Sequence, residues 1–171
     1  ILSVSAFAVK NKLPRRNAAW AALHAGRTTS EGIHGALDFN FKFDQNMYAL
    51  QFQVFQVCVP DGCVSRPHSS YNFLYGRSYS LNYYTHYYVQ SGIAAVQLRK
   101  NCGNKFIGWA GPGETNPAYV WECAQDTEAG IPVRAGILSG NFIGLSFELT
   151  GLLTPSYQII GAQIGMPLGV F

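Results

Sequence analysis

The sequence predicts an all-β protein: an antiparallel β-sandwich or jelly-roll-like domain with one short N-terminal helix. Three observations support this class. Apolar and polar residues alternate over many short segments, turn-forming residues separate those segments, and 171 residues suit a single domain over 1–171. Charged residues make up only 12% of the chain, which excludes a disordered protein. The net charge of +3 is too small to indicate a nucleic-acid partner, and none is expected.

The first segment, residues 1–8, has two interpretations. It is apolar and then small, and Ala6-Phe7-Ala8 fits the A-x-A pattern of a secretory signal cleavage site. The same residues also fit a first β-strand of the mature protein. Both interpretations stay open at this point.

Residues 14–26 carry the predicted helix. Pro14 suits the first turn, the alanines that follow favour the middle, and Gly26 suits the end. Trp20 and Leu23 are three residues apart and would face the core together. Basic residues cluster in the first thirty residues, as a solvated face or as a contact with an anionic surface: Lys10, Lys12, Arg15, Arg16 and Arg27.

The β-sandwich is predicted over residues 36–150, beginning with two strands. In residues 37–44 every apolar residue is odd-numbered, which indicates a half-buried strand with its apolar face in the core and Asp38 and Asp44 on its solvated face. The next strand, over residues 48–58, changes its alternation near Val54, which predicts a β-bulge.

Tyrosines at every fourth position mark the next part of the sheet: Tyr71, Tyr75, Tyr79, Tyr83 and Tyr87. This spacing keeps all of them on one face of a strand. A single strand over residues 71–89 would be roughly 60 Å long at about 3.3 Å per residue, so we expect a break near Gly76-Arg77. Shorter strands follow, with a hairpin turn at residues 139–141, for a total of about nine or ten.

The four cysteines predict two disulfides. Cys58 and Cys63 flank the turn-forming residues 59–62, and Cys102 and Cys123 close a longer loop. Zinc is disfavoured because the spacing lacks paired C-x2-C motifs, and no metal or cofactor is expected. Disulfides indicate an oxidising compartment, so the protein is predicted to be secreted or on the cell surface.

The C-terminal segment, residues 157–171, is predicted to be an apolar strand. No charged residue follows Glu148, and one face carries the proposed assembly residues Ile160, Ile164, Met166, Leu168 and Val170. Such a strand completes its own sheet, inserts into a neighbouring subunit, or lines the axis of an oligomer. Its glycines and prolines argue against a membrane helix, and no apolar run is long enough for one, so no transmembrane segment is expected.

The chain shows no catalytic motif. Its histidines lack metal-ligand spacing, and it contains neither a G-x-S-x-G elbow nor a phosphate-binding loop. The loop between Cys102 and Cys123 offers aromatic faces and hydrogen-bonding groups suited to saccharide or peptide recognition. The candidate ligand-binding residues are Trp109, Glu114, Asn116, Tyr119 and Trp121, although both tryptophans also fit a protein core.

These features predict a secreted, non-enzymatic cell-surface adhesin or fibre (pilus-like) subunit that assembles by strand complementation. The alternative is an oligomeric carbohydrate- or membrane-binding module, such as a toxin binding subunit. A hydrolase with an unrecognised site is a third interpretation. The expected partners are other copies of this chain and a glycan or host-surface ligand.

Overall fold

Eight antiparallel strands close into a single barrel. The computed structural model describes residues 17–29, 32–59, 62–109 and 117–170, with side chains described outside 56–68 and 99–124. The strands are β1 (Asn17–Thr28), β2 (Ile33–Phe43), β3 (Asn46–Val59), β4 (Gly62–Ser80), β5 (Thr85–Trp109), β6 (Pro117–Gly140), β7 (Gly144–Leu153) and β8 (Gln158–Val170). Each strand pairs with the next in sequence, and β8 pairs with β1.

The strands are tilted in the barrel. Directly paired residues lead once around the wall, through Ala18, Lys42, Met47, Gly76, Gln90, Arg134, Thr150, Gly161 and Thr28. The path starts at Ala18 and returns to β1 at Thr28, ten residues further on. A stagger of this size tilts the strands by about 40° from the barrel axis.

The two ends of the barrel differ. Short turns at residues 44–45, 81–84 and 141–143 lie at one end, where β1 also begins and β8 ends. We call this the turn end. At the other end, the hairpin end, β3 with β4 and β5 with β6 continue into long paired hairpins.

The polar and apolar faces of the wall are inverted relative to a water-soluble protein. On β2, Asp38 is 1% exposed whereas its neighbour Phe39 is 49% exposed. The same alternation runs through all eight strands, so the outward surface is a belt of Leu, Ile, Val, Phe and Tyr and much of the interior is polar. The predicted alternation over residues 37–44 is confirmed, but the assignment of its apolar face to the core is wrong.

Aromatic side chains form a girdle around the turn end. Tyr48 contacts Tyr75 with ring centroids 5.1 Å apart, and Tyr79 stacks on Tyr87 at 5.2 Å. Tyr75 also donates a hydrogen bond to Asn46 Oδ1 at 3.1 Å. The four-residue tyrosine spacing therefore produces an outward-facing aromatic row on β4 and β5.

Several predicted elements are wrong in detail. The expected helix over residues 14–26 is strand β1 where the structure describes it, because the small alanines of this segment pair with β2 on one edge and β8 on the other. Residues 71–89 are not broken at Gly76-Arg77, because β4 continues to Ser80 and the turn occupies 81–84. Residues 1–8 lie outside the described part of the chain.

Other elements agree with the sequence. The bulge predicted near Val54 is present as a register shift between Phe55 and Val57. The hairpin predicted at residues 139–141 joins β6 to β7, although its turn lies at 141–143 and Ser139 and Gly140 still pair with β7. Gly140 adopts a φ of 153°, which favours glycine.

The predicted fold class is wrong beyond the all-β level. The structure is one closed barrel of eight long strands rather than a β-sandwich or jelly roll of nine or ten short ones, and the described residues contain no helix. No helix in the described part of the chain is long and apolar enough to cross a membrane.

Candidate functional site

A layer of buried polar side chains crosses the middle of the barrel. Every strand contributes one member, and each is at most 6% exposed. In strand order they are His24, Asp38, Gln51, Asn72, Gln90, Arg134, Glu148 and Gln163. We call this set the polar layer.

Arg134 connects opposite walls of the barrel through this layer. Its Nε donates to Gln90 Oε1 at 2.6 Å on the neighbouring strand, and its Nη2 donates to Asn40 Oδ1 at 2.6 Å on the far side. Its Nη1 donates to Asp38 Oδ2 and lies 3.7 Å from Glu148 Oε2. The guanidinium therefore uses all three of its nitrogens within the barrel.

Glu148 is the second carboxylate of the layer. Gln163 Nε2 donates to its Oε2 at 2.6 Å, and the Tyr88 hydroxyl donates to its Oε1. The His24 ring lies between the two carboxylates, with Nε2 2.8 Å from Asp38 Oδ1 and Nδ1 3.7 Å from Glu148 Oε1. Protonated His24 together with Arg134 would balance both negative charges inside the barrel.

Three residues of the polar layer have the donor types of a metal site. Ligand atoms of His24, Asp38 and Glu148 lie within 4.8 Å of one another. However, the Arg134 guanidinium contacts both carboxylates, so a cationic group already occupies the position of a metal ion. The donor set fits a structural charge cluster rather than a metal centre.

Apolar side chains cover the polar layer on both sides. On the turn-end side Trp20, Ala22, Met47, Tyr88 and Leu138 pack together. On the hairpin-end side the packed residues are Phe55, Ala94, Val96, Leu98, Leu152 and Ile159. Buried side chains thus occupy the described lumen, as expected for a barrel of eight strands.

A smaller polar group lies nearer the turn end. Ser80 Oγ is 2.8 Å from His86 Nδ1, and Lys42 Nζ is 3.5 Å from the same atom. Lys42 and His86 are 4% and 3% exposed. His86 is therefore an interior residue of the barrel.

The predicted ligand-binding residues belong to the longest hairpin. Strands β5 and β6 contain 25 and 24 residues, whereas about 9–11 residues cross a membrane as a tilted strand. Their pairing continues to Trp109 opposite Pro117, well beyond the apolar belt, and includes Asn104 opposite Trp121 and Phe106 opposite Tyr119. The backbone positions of Trp109, Tyr119 and Trp121 thus share the distal half of this hairpin. Glu114 and Asn116 lie outside the described residues, and ligand binding stays a prediction.

The strand register also positions the cysteines. Cys58 on β3 is directly opposite Cys63 on β4. Cys102 and Cys123 lie between the paired positions Lys100/Ala124 and Gly103/Glu122. The side chains of all four are outside the described set, so both disulfides stay predictions.

The C-terminal strand occupies the barrel wall. β8 pairs with β1 on one edge and with β7 on the other, so its hydrogen-bonding edges are used within its own chain. The predicted strand complementation is therefore wrong. The proposed assembly residues face outward at 38–58% exposure: Ile160, Ile164, Met166, Leu168 and Val170.

Comparisons with known proteins identify the fold. No protein-family model matches the sequence, and no curated protein matches it significantly. The N-terminal β-barrel domain of Pseudomonas aeruginosa OprF is similar at TM-score 0.60 and 11% identity, covering 90% of this chain and 98% of that one. Ail, the attachment invasion locus protein of Yersinia pestis, is similar at TM-score 0.57 and 8% identity, covering 92% and 100%. Neisserial surface protein A is similar at TM-score 0.53 and 9% identity, covering 89% and 94%.

These likenesses correct one prediction and support part of another. The expectation of no transmembrane segment is wrong, because it rested on the length of apolar runs, which detects helices. Barrels of this fold cross membranes with short strands whose outward residues are apolar and alternate with inward ones. The predicted cell-surface location agrees with the similar structures, whereas a pilus-like fibre subunit does not.

Sequence reasoning missed the polar layer. The sequence predicts a solvated strand face for Asp38 and no role for Glu148 or Arg134. The available signal was the strict alternation of polar and large apolar residues on β2 and β7. Read with the apolar face toward lipid, this alternation would have placed the charged residues inside.

Proposed function

We propose that this chain is an outer-membrane β-barrel that holds two long hairpins at the cell surface as an attachment surface. The observation that carries the proposal is the inverted wall, with Phe39 49% exposed beside Asp38 at 1%. In water, such a continuous apolar surface would drive aggregation, whereas in a bilayer it is the favoured arrangement. The closed sheet also leaves no unpaired strand edge in the hydrocarbon.

The orientation follows from the two ends. Outer-membrane barrels have short periplasmic turns and longer extracellular loops. The turn end therefore faces the periplasm, and the aromatic girdle lies at that interface. The β3–β4 and β5–β6 hairpins then project outside the cell.

An attachment role is favoured over transport. Buried side chains of the charge cluster and of the two packed apolar clusters occupy the described part of the lumen, which disfavours a solute channel. The β5–β6 hairpin instead provides an extended surface whose sequence combines aromatic residues with Arg99, Lys100 and Lys105. One similar structure, Ail, is described as an attachment protein in complex with a heparin analogue, sucrose octasulfate. A sulfated polysaccharide is therefore a suitable first probe.

Membrane insertion is tested on the purified chain refolded into phosphatidylcholine vesicles. We expect β-sheet circular dichroism, a shift in electrophoretic mobility between unheated and boiled samples, and protection of the barrel strands from added protease. Recovery of folded, monodisperse protein in buffer without detergent or lipid would contradict a membrane barrel.

Attachment is tested with a hairpin variant in which a Gly-Ser link replaces residues 103–122, the distal part of β5 and β6, and leaves the parts of both strands within the apolar belt intact. Binding to immobilised heparin and to cultured cells should fall at least about tenfold relative to the full chain. A matched variant shortened at residues 59–62 controls for removal of any surface hairpin. Equal binding by the 103–122 variant and the full chain would exclude the β5–β6 hairpin as the attachment surface.

A further inference from the structure

An open groove runs along the outward wall where β1 meets β8. Its volume is about 460 Å³, and Ala25 and Ala162 are among its lining residues. Larger side chains, Ile33, Phe147 and Ile164, line it as well. Because alanine at two outward positions replaces the large residues of the surrounding belt, the surface is recessed here.

The strand register gives the direction of the groove. Phe147 pairs with Ile164, and Ile164 pairs with Ala25, near the middle of the apolar belt. Arg27 pairs with both Ala162 and Ile33, closer to the hairpin end. The groove therefore extends from the centre of the belt toward the hairpin end, where Arg27 is one of its lining residues.

Arg27 gives this groove a polar terminus. Its side chain is exposed, and the described outward faces of β1, β2, β7 and β8 carry no carboxylate that could pair with it. Among described outward-facing strand residues, the other arginine is Arg77, on β4 toward the turn end. An arginine at the lipid interface binds phosphate through a planar fork of donors.

We infer that the groove binds one acyl chain of an anionic, phosphate-bearing lipid whose phosphate is held by Arg27. The inference rests on the proposed membrane-spanning function. Two features support this occupant. The apolar recess lies within the belt that lipid tails would cover, and Arg27, the one cation among its described lining residues, lies on the side of the groove nearer the hairpin end, toward which headgroups would lie. The acyl chain of a lipid without net charge would fill the recess, but such a lipid would not neutralise the charge of the Arg27 guanidinium.

The test uses the full chain in nanodiscs of equimolar dioleoylphosphatidylglycerol and dioleoylphosphatidylcholine, with retained lipid counted by native mass spectrometry. We expect one retained phosphatidylglycerol per barrel, preferred about tenfold over phosphatidylcholine. Arg27→Gln should reduce the preference to less than about twofold, and Arg77→Gln should leave it unchanged. Ala25→Leu with Ala162→Leu should abolish retention, whereas Ala21→Leu, an outward β1 substitution outside the groove, should not.

The outcomes separate the two proposals. Equal retention of both lipids by the inserted wild-type protein, or an unchanged preference in Arg27→Gln, would overturn the lipid site and leave the membrane barrel intact. Failure of the wild-type protein to insert into nanodiscs would overturn the proposed function itself. The mobility shift on boiling shows for each variant that loss of lipid is not loss of folding.

Discussion

Arg134 donates a hydrogen bond to Asp38 across the full width of the barrel, between residues 96 positions apart in the sequence. The two residues belong to β6 and β2, which lie four strands apart in a ring of eight and are therefore on opposite walls. Both are 3% exposed or less. The contact thus connects opposite walls through the barrel interior.

Replacing Arg134 should destabilise the barrel strongly. Arg134→Gln leaves Asp38 and Glu148 as buried carboxylates without their cationic partner, and breaking a buried ion pair in this way costs about 3–5 kcal/mol. Urea unfolding in phosphatidylcholine vesicles measures the loss. The Asp38→Asn/Arg134→Gln double variant should lose less than the sum of the two single variants, because it removes both charges. A loss below about 1 kcal/mol for Arg134→Gln would show that the pair does not support the fold.

The lipid-facing surface predicts that the cost of an outward arginine substitution depends on its depth in the bilayer. Leu149 is in the centre of the outward apolar run of β7, whereas Phe43 is the last residue of β2 at the turn end. Their side chains are almost equally exposed, at 55% and 54%. In a bilayer, arginine costs about 2–4 kcal/mol at the midplane and about 0–1 near the interface.

Leu149→Arg should therefore be the more destabilising variant by about 2 kcal/mol in vesicle unfolding experiments. Phe43→Arg is its matched control for lost apolar surface and added charge. If water rather than lipid surrounds the belt, the two substitutions should cost the same, and that result would argue against a membrane-spanning barrel.

The sequence predicted the strands better than it predicted which face of each strand points into the barrel. Alternation in residues 37–43 fixes which side chains share a face, but it is symmetrical with respect to inside and outside. The surrounding solvent decides between the two, and the prediction assumed water. Asp38 is consequently buried and Phe39 exposed, the reverse of the prediction.

Local sequence patterns also could not predict that the sheet closes into a barrel. The alanine-rich residues 17–28 have good helix propensity, and only their pairing with both β2 and β8 makes them a strand. The contact between Arg134 and Asp38 depends on the same closure, because no local spacing relates residues on opposite walls. The apolar C-terminal strand was predicted correctly as a strand, but its partner is β1 of the same chain.

The position of His24 depends on a glycine. A Cβ atom at Gly165 would lie 2.2 Å from His24 Nδ1 and 2.5 Å from Ser146 Oγ, both inside the barrel. Gly165→Ala should therefore push the imidazole away from the two carboxylates and cost about 1–3 kcal/mol by overpacking. Gly35→Ala is the control, because its added Cβ would meet only the His24 carbonyl oxygen at 3.7 Å.

Unfolding in vesicles and the His24 side-chain NMR signals would report on this substitution together. We expect both to change in Gly165→Ala and neither in Gly35→Ala. A shifted stability with unchanged His24 signals would mean that the crowding is relieved elsewhere, and the assigned role of Gly165 would be wrong.

The cysteines should pair within hairpins. Cys58 is opposite Cys63 on adjacent strands, a position from which a disulfide can form without backbone movement. Cys58 and Cys102 lie on β3 and β5, which do not pair with each other. Pairing of β4 with β5 ends at Ser69 and Gln97, before either of their cysteines.

Peptide mapping of unreduced protein should therefore yield the pairs Cys58–Cys63 and Cys102–Cys123. Because both pairs lie in the projecting hairpins, reduction should increase protease cleavage of residues 99–124 while the barrel's unfolding midpoint changes little. A chain with all four thiols free, or with pairs that join the two hairpins, would contradict the register. A large drop in the barrel's midpoint on reduction would show that the hairpins stabilise the membrane-spanning strands, which their position beyond the apolar belt argues against.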